Sequence, residues 1–542
     1  MPRMDTAFEA AAREWFESEM AASPFMATFL GIHNHDDQLG DFSPAGFRRR
    51  GEQAREWLKR LEAFHPADLS PDNQVDLKLL RASLVTLLED LEDLGLATTY
   101  PSWYAEVGVS AIHAMLTRDY APLATRMTGI LARLRQIPEV LAHGQSAVGR
   151  PPKIFTEIAI ETARGGVAFL SALIPPAAEQ VPELKAEVLA ANDRAIAAMT
   201  EYARFLAAEV LPRSDGEFAV GTRIFERRLR ENHFLNYTAE SLSQTGHGLV
   251  QSTLREMEKV AREIDPTRTW QEIVDEAKRE HPTVDGLMDA YRKAMRETRD
   301  FVIRHDLLDL PPNEVLEVIE TPAFIRALIP YAAYDAPAAF EERQVGTFYV
   351  TPVDPAAPAN VQQQVLEGHN SLSIPLTALH EGYPGHHTQL TWANRNPSLV
   401  RKAAGHSTLF AEGWAFYCEE LMESLGFVSD PRGKLLRLKD QLWRACRIVI
   451  DVGIHCYGMT LEEAANMLVD VAKLEPVNAK AEVARFSMSP TQPMSYLIGK
   501  LELLKLADEY RARKGRDFRL KTFHGDLLAH GTIPPALVRE LL

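Results

Sequence analysis

His380-Glu381-Gly382-Tyr383-Pro384-Gly385-His386-His387-Thr388-Gln389 places a His-Glu pair and a second His within two helical turns. That combination serves a metal ion and a general base together. In its ordinary form, H-E-x-x-H, the histidines at i and i+4 share one helix face and reach one zinc. Here position i+4 is Pro384, and the next histidines stand at i+6 and i+7. Proline lacks the N–H that would bond back to His380 and its ring clashes with the preceding turn, while Gly385 tolerates unusual dihedrals. The pair predicts a bulge of the π type inside one helix, which would bring His386 to the ligand position. His387 is the rival, because i+7 of an unbroken helix returns to the same face roughly 10.5 Å further along. A histidine cluster without metal is the bland alternative.

A catalytic zinc usually takes three protein ligands and keeps one position open. The stretch Ser407 to Glu420 reads as a helix whose apolar face carries Phe410, Trp414, Tyr417 and Leu421. Glu412 sits among those aromatics, where a carboxylate is costly unless paired or coordinated, and it is the candidate third ligand. Glu419 and Glu420 compete with it, and all three could instead form a solvated face.

HExxPGHH at His380–His387, followed by Glu-Gly-Trp at Glu412–Trp414, resembles the DUF885 family of predominantly helical, zincin-like proteins. The resemblance extends to Ala27–His33 with Asp41–Pro44, to Gly346–Val350, and to the blocks Arg447–His455 and Arg485–Gly499, and so covers nearly the whole chain. It implies a large mainly α, zincin-like fold with a small β-sheet next to the metal-binding helix. The function it implies is a gluzincin-type zinc hydrolase, a metallopeptidase first of all.

Composition agrees with a large globular protein: 542 residues, 46% hydrophobic and 25% charged. A formal net charge of −16 excludes the basic footprint that nucleic-acid binders need. The three cysteines, Cys418, Cys446 and Cys456, are too few for a disulfide framework and lack metal-ligand spacing. The acidic first 21 residues show no apolar signal core, and no stretch of 18 uninterrupted apolar residues occurs. These features predict a cytoplasmic protein with no membrane partner.

Helical periodicity dominates, with candidate helices over 4–22, 46–64, 71–93, 121–141, 154–171, 178–209, 238–263 and 283–304, then 375–394, 407–424, 433–457, 461–473 and 494–513. Thr460–Glu463 has the form of a capping box. Pro175-Pro176 reads as punctuation, and Pro311-Pro312-Asn313 as a lobe boundary. The expected division is an N-terminal helical lobe, 1–310, and a catalytic lobe, 311–542. Val315–Glu320 and Gly346–Val350 are the strand candidates. The second could hold a substrate backbone along a free edge, or be a structural hairpin.

Two downstream groups could complete the site. Arg444, Arg447, Asp451 and His455 step along one helix at intervals of three or four, as oxyanion or outer-shell groups or as an ion-pair ladder. Arg485, Gln492, Tyr496 and Gly499 follow, and Tyr496 is the candidate donor to a tetrahedral intermediate. The expected site is therefore one Zn²⁺ on His380, His386 and Glu412, with Glu381 as general base and Tyr496, His455 and Arg447 supporting the oxyanion. Cobalt or manganese would suit the same ligands. A short peptide or small amide is the expected substrate. The alternatives are hydrolysis of a non-peptide amide or C–N bond in a metabolite, and a non-catalytic helical binding protein.

Overall fold

The structure, a computed structural model, describes residues 2–322, 326, 329 and 331–542. It is mainly α-helical with one small sheet. The chain forms two compact units. One comprises Met1–Phe218 with Ala338–Glu342 and Ser398–Ala404; the other comprises Ala219–Pro337, Arg343–Pro397 and Gly405–Leu542. The division thus falls near residue 218, where the sequence suggested 310, and helices 221–304 lie in the same unit as the HExxPGHH segment.

In the first unit, serine caps followed by proline start helices where the pattern places them. Ser43 Oγ accepts from the N–H of Gly46 ahead of Pro44–Leu61, and Ser70 Oγ from that of Asn73 ahead of Pro71–Leu88. The Ala27–His33 block is held by buried Arg133, whose Nη2 donates to Thr28 Oγ1 at 2.6 Å. Pro175 and Pro176 do not punctuate; both lie inside Lys153–Glu179. The carbonyls they leave unbonded belong to exposed Ser171 and Ala172, where water can satisfy them. This helix is long and apolar enough to cross a membrane by length and composition. It buries Phe155, Phe169, Leu170 and Ile174 against neighbouring helices, as a core helix does.

In the second unit, Thr460 and Glu463 form the expected reciprocal capping box. The sheet has the order β1-β3-β2, with β1 (Val315–Glu320) parallel and β2 (Ala332–Asp335) antiparallel to β3 (Val345–Val350). β2 is too short and too poor in alternation to be read from sequence. Its presence corrects the edge-strand reading: β3 is the middle strand, its hydrogen-bonding groups are used on both sides, and it has no free edge for a substrate. The sheet packs against the HExxPGHH segment at His387. Gly346 on β3 allows His387 and Tyr334 to approach its backbone, and a Cβ there would lie 2.6 Å from His387 Nδ1.

Candidate metal centre

The first helix of the motif, Ser373–Glu381, ends at the general-base candidate, and a new helix begins at His386. Between them Gly382–Gly385 form a tight turn with a cis Tyr383–Pro384 peptide. No bulged continuous helix is present. The Pro384 expectation was right that the helical ladder fails and wrong that the helix survives it. Gly385 is the residue that permits so sharp a restart, since its N–H bonds to Leu379 O at 3.0 Å. A Cβ at this position would fall on the carbonyl oxygens of Leu379 and His380.

The break sorts the two rival histidines. His386 turns toward His380 and Glu412. Its Nε2 lies 3.4 Å from Glu412 Oε2, and His380 Nε2 lies 3.8 Å from the same oxygen. Ligand atoms of these three residues all fall within 4.8 Å of one another, so the group could hold one metal ion with two imidazoles and a carboxylate, a donor set that suits zinc. His387, next in sequence, points the other way. It is fully buried, with Nε2 2.8 Å from Glu314 Oε2 and Nδ1 3.0 Å from Tyr334 Oη. Tyr383 donates to the same Glu314 oxygen at 2.5 Å. Burial opposes charge on Glu314, but the hydrogen bonds from His387 and Tyr383 outweigh it and hold the carboxyl below its ordinary range. His387 is therefore a fastener between the motif and the start of β1.

Glu412 is delivered by the helix Thr408–Ser424, capped by Ser407 as its sequence suggests. The three competing carboxylates go to three tasks. Glu412 faces the histidines. Glu419, two turns on and on the same face, accepts from His380 Nδ1–H at 2.7 Å. That leaves Nε2 of His380 as the ring nitrogen free to bind, the second contact that metal-site histidines usually have. Glu420 pairs with Lys500. Burial disfavours charge on His380, yet the Glu419 hydrogen bond and the charges of Glu381, Glu419 and Glu412 raise its pKa to about 9. Burial likewise works against Glu412, and the hydrogen bond from His386 with the charges of His386, His380 and Arg447 holds it down to about 2.

The Gly and Trp of the Glu-Gly-Trp triplet have their own physical reasons. Trp414, fully buried, donates Nε1–H to the carbonyl of Pro384 at 2.8 Å and so fixes the turn between the two histidines. Gly413 lies against Gly499 of the helix Ser495–Lys514, where a Cβ would stand 2.7 Å from Gly499 Cα and 2.9 Å from Lys500 N. Both close neighbours are backbone, so relief requires the helices to separate. Gly413→Ala is expected to cost about 1–3 kcal/mol, read as a lower denaturation midpoint at unchanged m-value.

Of the remaining candidates, Tyr496 is half-buried and feels the charge of Glu412. Arg447 is 3% exposed, bonds Glu482 at 2.6 Å, and packs its guanidinium 4.7 Å from the Tyr496 ring. His455 is not brought to the cluster. It is 1% exposed with Nε2 3.1 Å from the carbonyl of Phe486, and burial lowers its pKa to about 4. An oxyanion role for His455 is thereby withdrawn; the rise of a regular helix carries it about 12 Å along the axis beyond Arg447. Asp451, 0% exposed, accepts from Thr491 N–H at 3.1 Å and lies 4.0 Å from His455 Nε2; among the described residues it forms no ion pair with Arg447, so the ladder is interrupted there. Sequence reasoning missed Glu314 and Tyr334, which have no motif spacing, the bond of Tyr383 to Glu314 from inside the motif, and the orienting role of Glu419. Its separation of seven from Glu412 was the available signal.

No curated protein matches the chain. Among solved structures, one from Shewanella oneidensis, described as "a putative lipoprotein of unknown function", superposes with a TM-score of 0.82 at 26% identity, covering 98% of this chain and 99% of that one. A second, described as "the putative lipoprotein from Colwellia psychrerythraea", has a TM-score of 0.84 at 17% identity, covering 99% and 98%, and is alike in fold alone. The first description overturns the cytoplasmic expectation. A lipid-anchored location is set by a short terminal signal and not by the folded body, so the body's acidic, ordinary composition carried no information on it. A family model described as bacterial protein of unknown function (DUF885) matches residues 24–542, and with nearly the whole length aligned, this chain belongs to the DUF885 family.

Proposed function

We propose that this chain is a zinc-dependent hydrolase of amide bonds, acting on short peptides. The observation that carries the reading is the convergence of His380 Nε2, His386 Nε2 and a Glu412 oxygen, backed by Glu419 on the far side of His380. Next to them Glu381 ends its helix, and its charge acts on His380, Tyr291 and Tyr334. A structural metal site needs no such adjacent base, which supports catalysis over a binding scaffold.

A zinc ion held there would supply Lewis acidity at the scissile carbonyl and at a water molecule. The residues do the rest. Glu381 takes a proton from the attacking water as its oxygen bonds the carbonyl carbon, then delivers that proton to the leaving nitrogen as the C–N bond breaks. Atoms balance as one water consumed for one carboxylate and one amine formed. Glu419 keeps the His380 ring in the tautomer that presents Nε2. Tyr496, whose hydroxyl proton is held more tightly than usual because of burial and the Glu412 charge, stays neutral and can donate to the developing oxyanion.

The test is elemental analysis and peptide hydrolysis with the same protein. About one zinc per chain, with cleavage of short peptides that stops on chelation and returns on zinc addition, is the expected result. A zinc-replete protein that cleaves no member of a broad peptide library would sink the peptidase reading.

A further inference from the structure

Beside the proposed metal centre lies a group of buried donors with no acceptor. The nitrogens Nε1 of Trp443, Nε and Nη1 of Arg444, and Nε and Nη1 of Arg447 are buried and make no hydrogen bond among the described residues. Among the described residues the carboxylate paired with Arg444 Nη1 is that of Asp440, which stands 3.6 Å away, beyond hydrogen-bond reach. All three residues lie on adjacent turns of the helix Pro431–Cys456. Buried polar groups are as a rule satisfied, and an exception asks for a missing partner. Five donors and no acceptor ask for an anion.

Hydrogen-bonding capacity points the same way. Arg447 and Arg485 share the carboxylate of Glu482, and the carboxylates whose charges act on Arg444, those of Asp440, Glu419 and Glu482, make no hydrogen bond to its Nε or Nη1, so both guanidinium groups keep donors to spare. The walls are aromatic. The guanidinium of Arg444 lies 4.4 Å from the Trp443 ring and 5.6 Å from that of Phe416, and the guanidinium of Arg447 lies 4.3 Å from Trp443 and 5.4 Å from Phe486. Such walls exclude water and strengthen any ionic contact made between them. The Arg444 side chain remains 14% exposed, so the group is not sealed.

Its position is set by the same helix that carries Glu412. Phe416, over Arg444, is one turn beyond Glu412, a spacing of about 6 Å. Tyr496 stands against both guanidinium groups, at 5.6 Å and 4.7 Å, and within the field of Glu412. An anion bound here would therefore belong to the molecule whose amide reaches the metal centre.

We propose that Trp443, Arg444 and Arg447 bind the carboxylate of the substrate, so that the enzyme reads short peptides from a free C-terminal end. Recognition of the peptide's end rests on the hydrolase reading above; the anion pocket does not. Arg447 becomes a specificity residue, in place of the oxyanion role its sequence position suggested.

The experiment uses the full-length chain carrying Glu381→Gln, incubated with zinc so that peptide binds without turnover. Acetyl-trialanine with a free carboxylate and the same peptide as its C-terminal amide are titrated by calorimetry. The acid is expected to bind about 10- to 100-fold more tightly, the range of hydrogen bonds to charged groups. Adding Arg447→Gln is expected to bring the ratio close to one at unchanged zinc content, and Arg447→Lys to restore part of it. Arg444→Gln serves as the second variant should Arg447→Gln fail to fold. Equal affinities, no binding of either form, or a preference unaffected in both arginine variants would overturn the pocket. Wild-type protein that prefers the acid yet hydrolyses nothing would instead remove the hydrolase reading and leave the pocket standing.

Discussion

Glu381→Gln is expected to bind zinc as tightly as the wild type and to lose peptide hydrolysis by about 10²- to 10⁴-fold, the span that positioned general bases contribute. Glutamine has nearly the same shape, and Glu381 is not one of the three converging ligand residues. It ends the helix one residue after His380, its charge acts on His380, and among the described residues no cap or ion pair of the surrounding helices depends on it. Fold and metal should therefore survive while proton transfer fails. The loss should appear in kcat with KM little changed, since the base acts in the transition state and not in binding. Full activity in a zinc-replete Glu381→Gln protein would assign the base elsewhere.

The paired histidines should separate just as sharply. His386→Ala removes a ring whose Nε2 meets only the proposed ligand Glu412 and whose Nδ1 makes no hydrogen bond among the described residues, so folding should change little while the zinc is lost. His387→Ala should do the reverse. It strips buried Glu314 of one of its two strongest hydrogen bonds and Tyr334 of its acceptor, and breaking a buried pair of this kind costs about 3–5 kcal/mol. The folded fraction of His387→Ala should still bind one zinc, because His387 faces away from the cluster. Denaturant midpoints and elemental analysis on the two variants check both halves. A zinc-free His387→Ala that remains as stable as wild type would exchange the roles of the two residues.

The helices, their capping boxes and the residue types of the site were legible in the chain because they depend on local spacing. Thr460 and Glu463 cap one another through three residues of backbone, and Glu412 announces itself as a carboxylate set among aromatics. Glu381, His380 and the need for a third ligand follow from spacing in the same way. What spacing cannot do is cross a break. Once Pro384 and Gly385 end one helix and begin another, the direction of His386 relative to His387 depends on the turn. That turn is held from outside, by Trp414 on its carbonyl and by Glu314 and Tyr334 on His387. The same limit explains β2, which exists because β3 offers it a partner, and His455, whose helix spacing from Arg444 and Arg447 does not show that the backbone of Phe486 takes its ring. Local spacing alone thus specifies a helical protein with two histidines and two glutamates suited to metal chemistry. Which histidine joins the cluster, which glutamate orients it, and which arginine nitrogens keep unused donors depends on contacts between segments far apart in the chain.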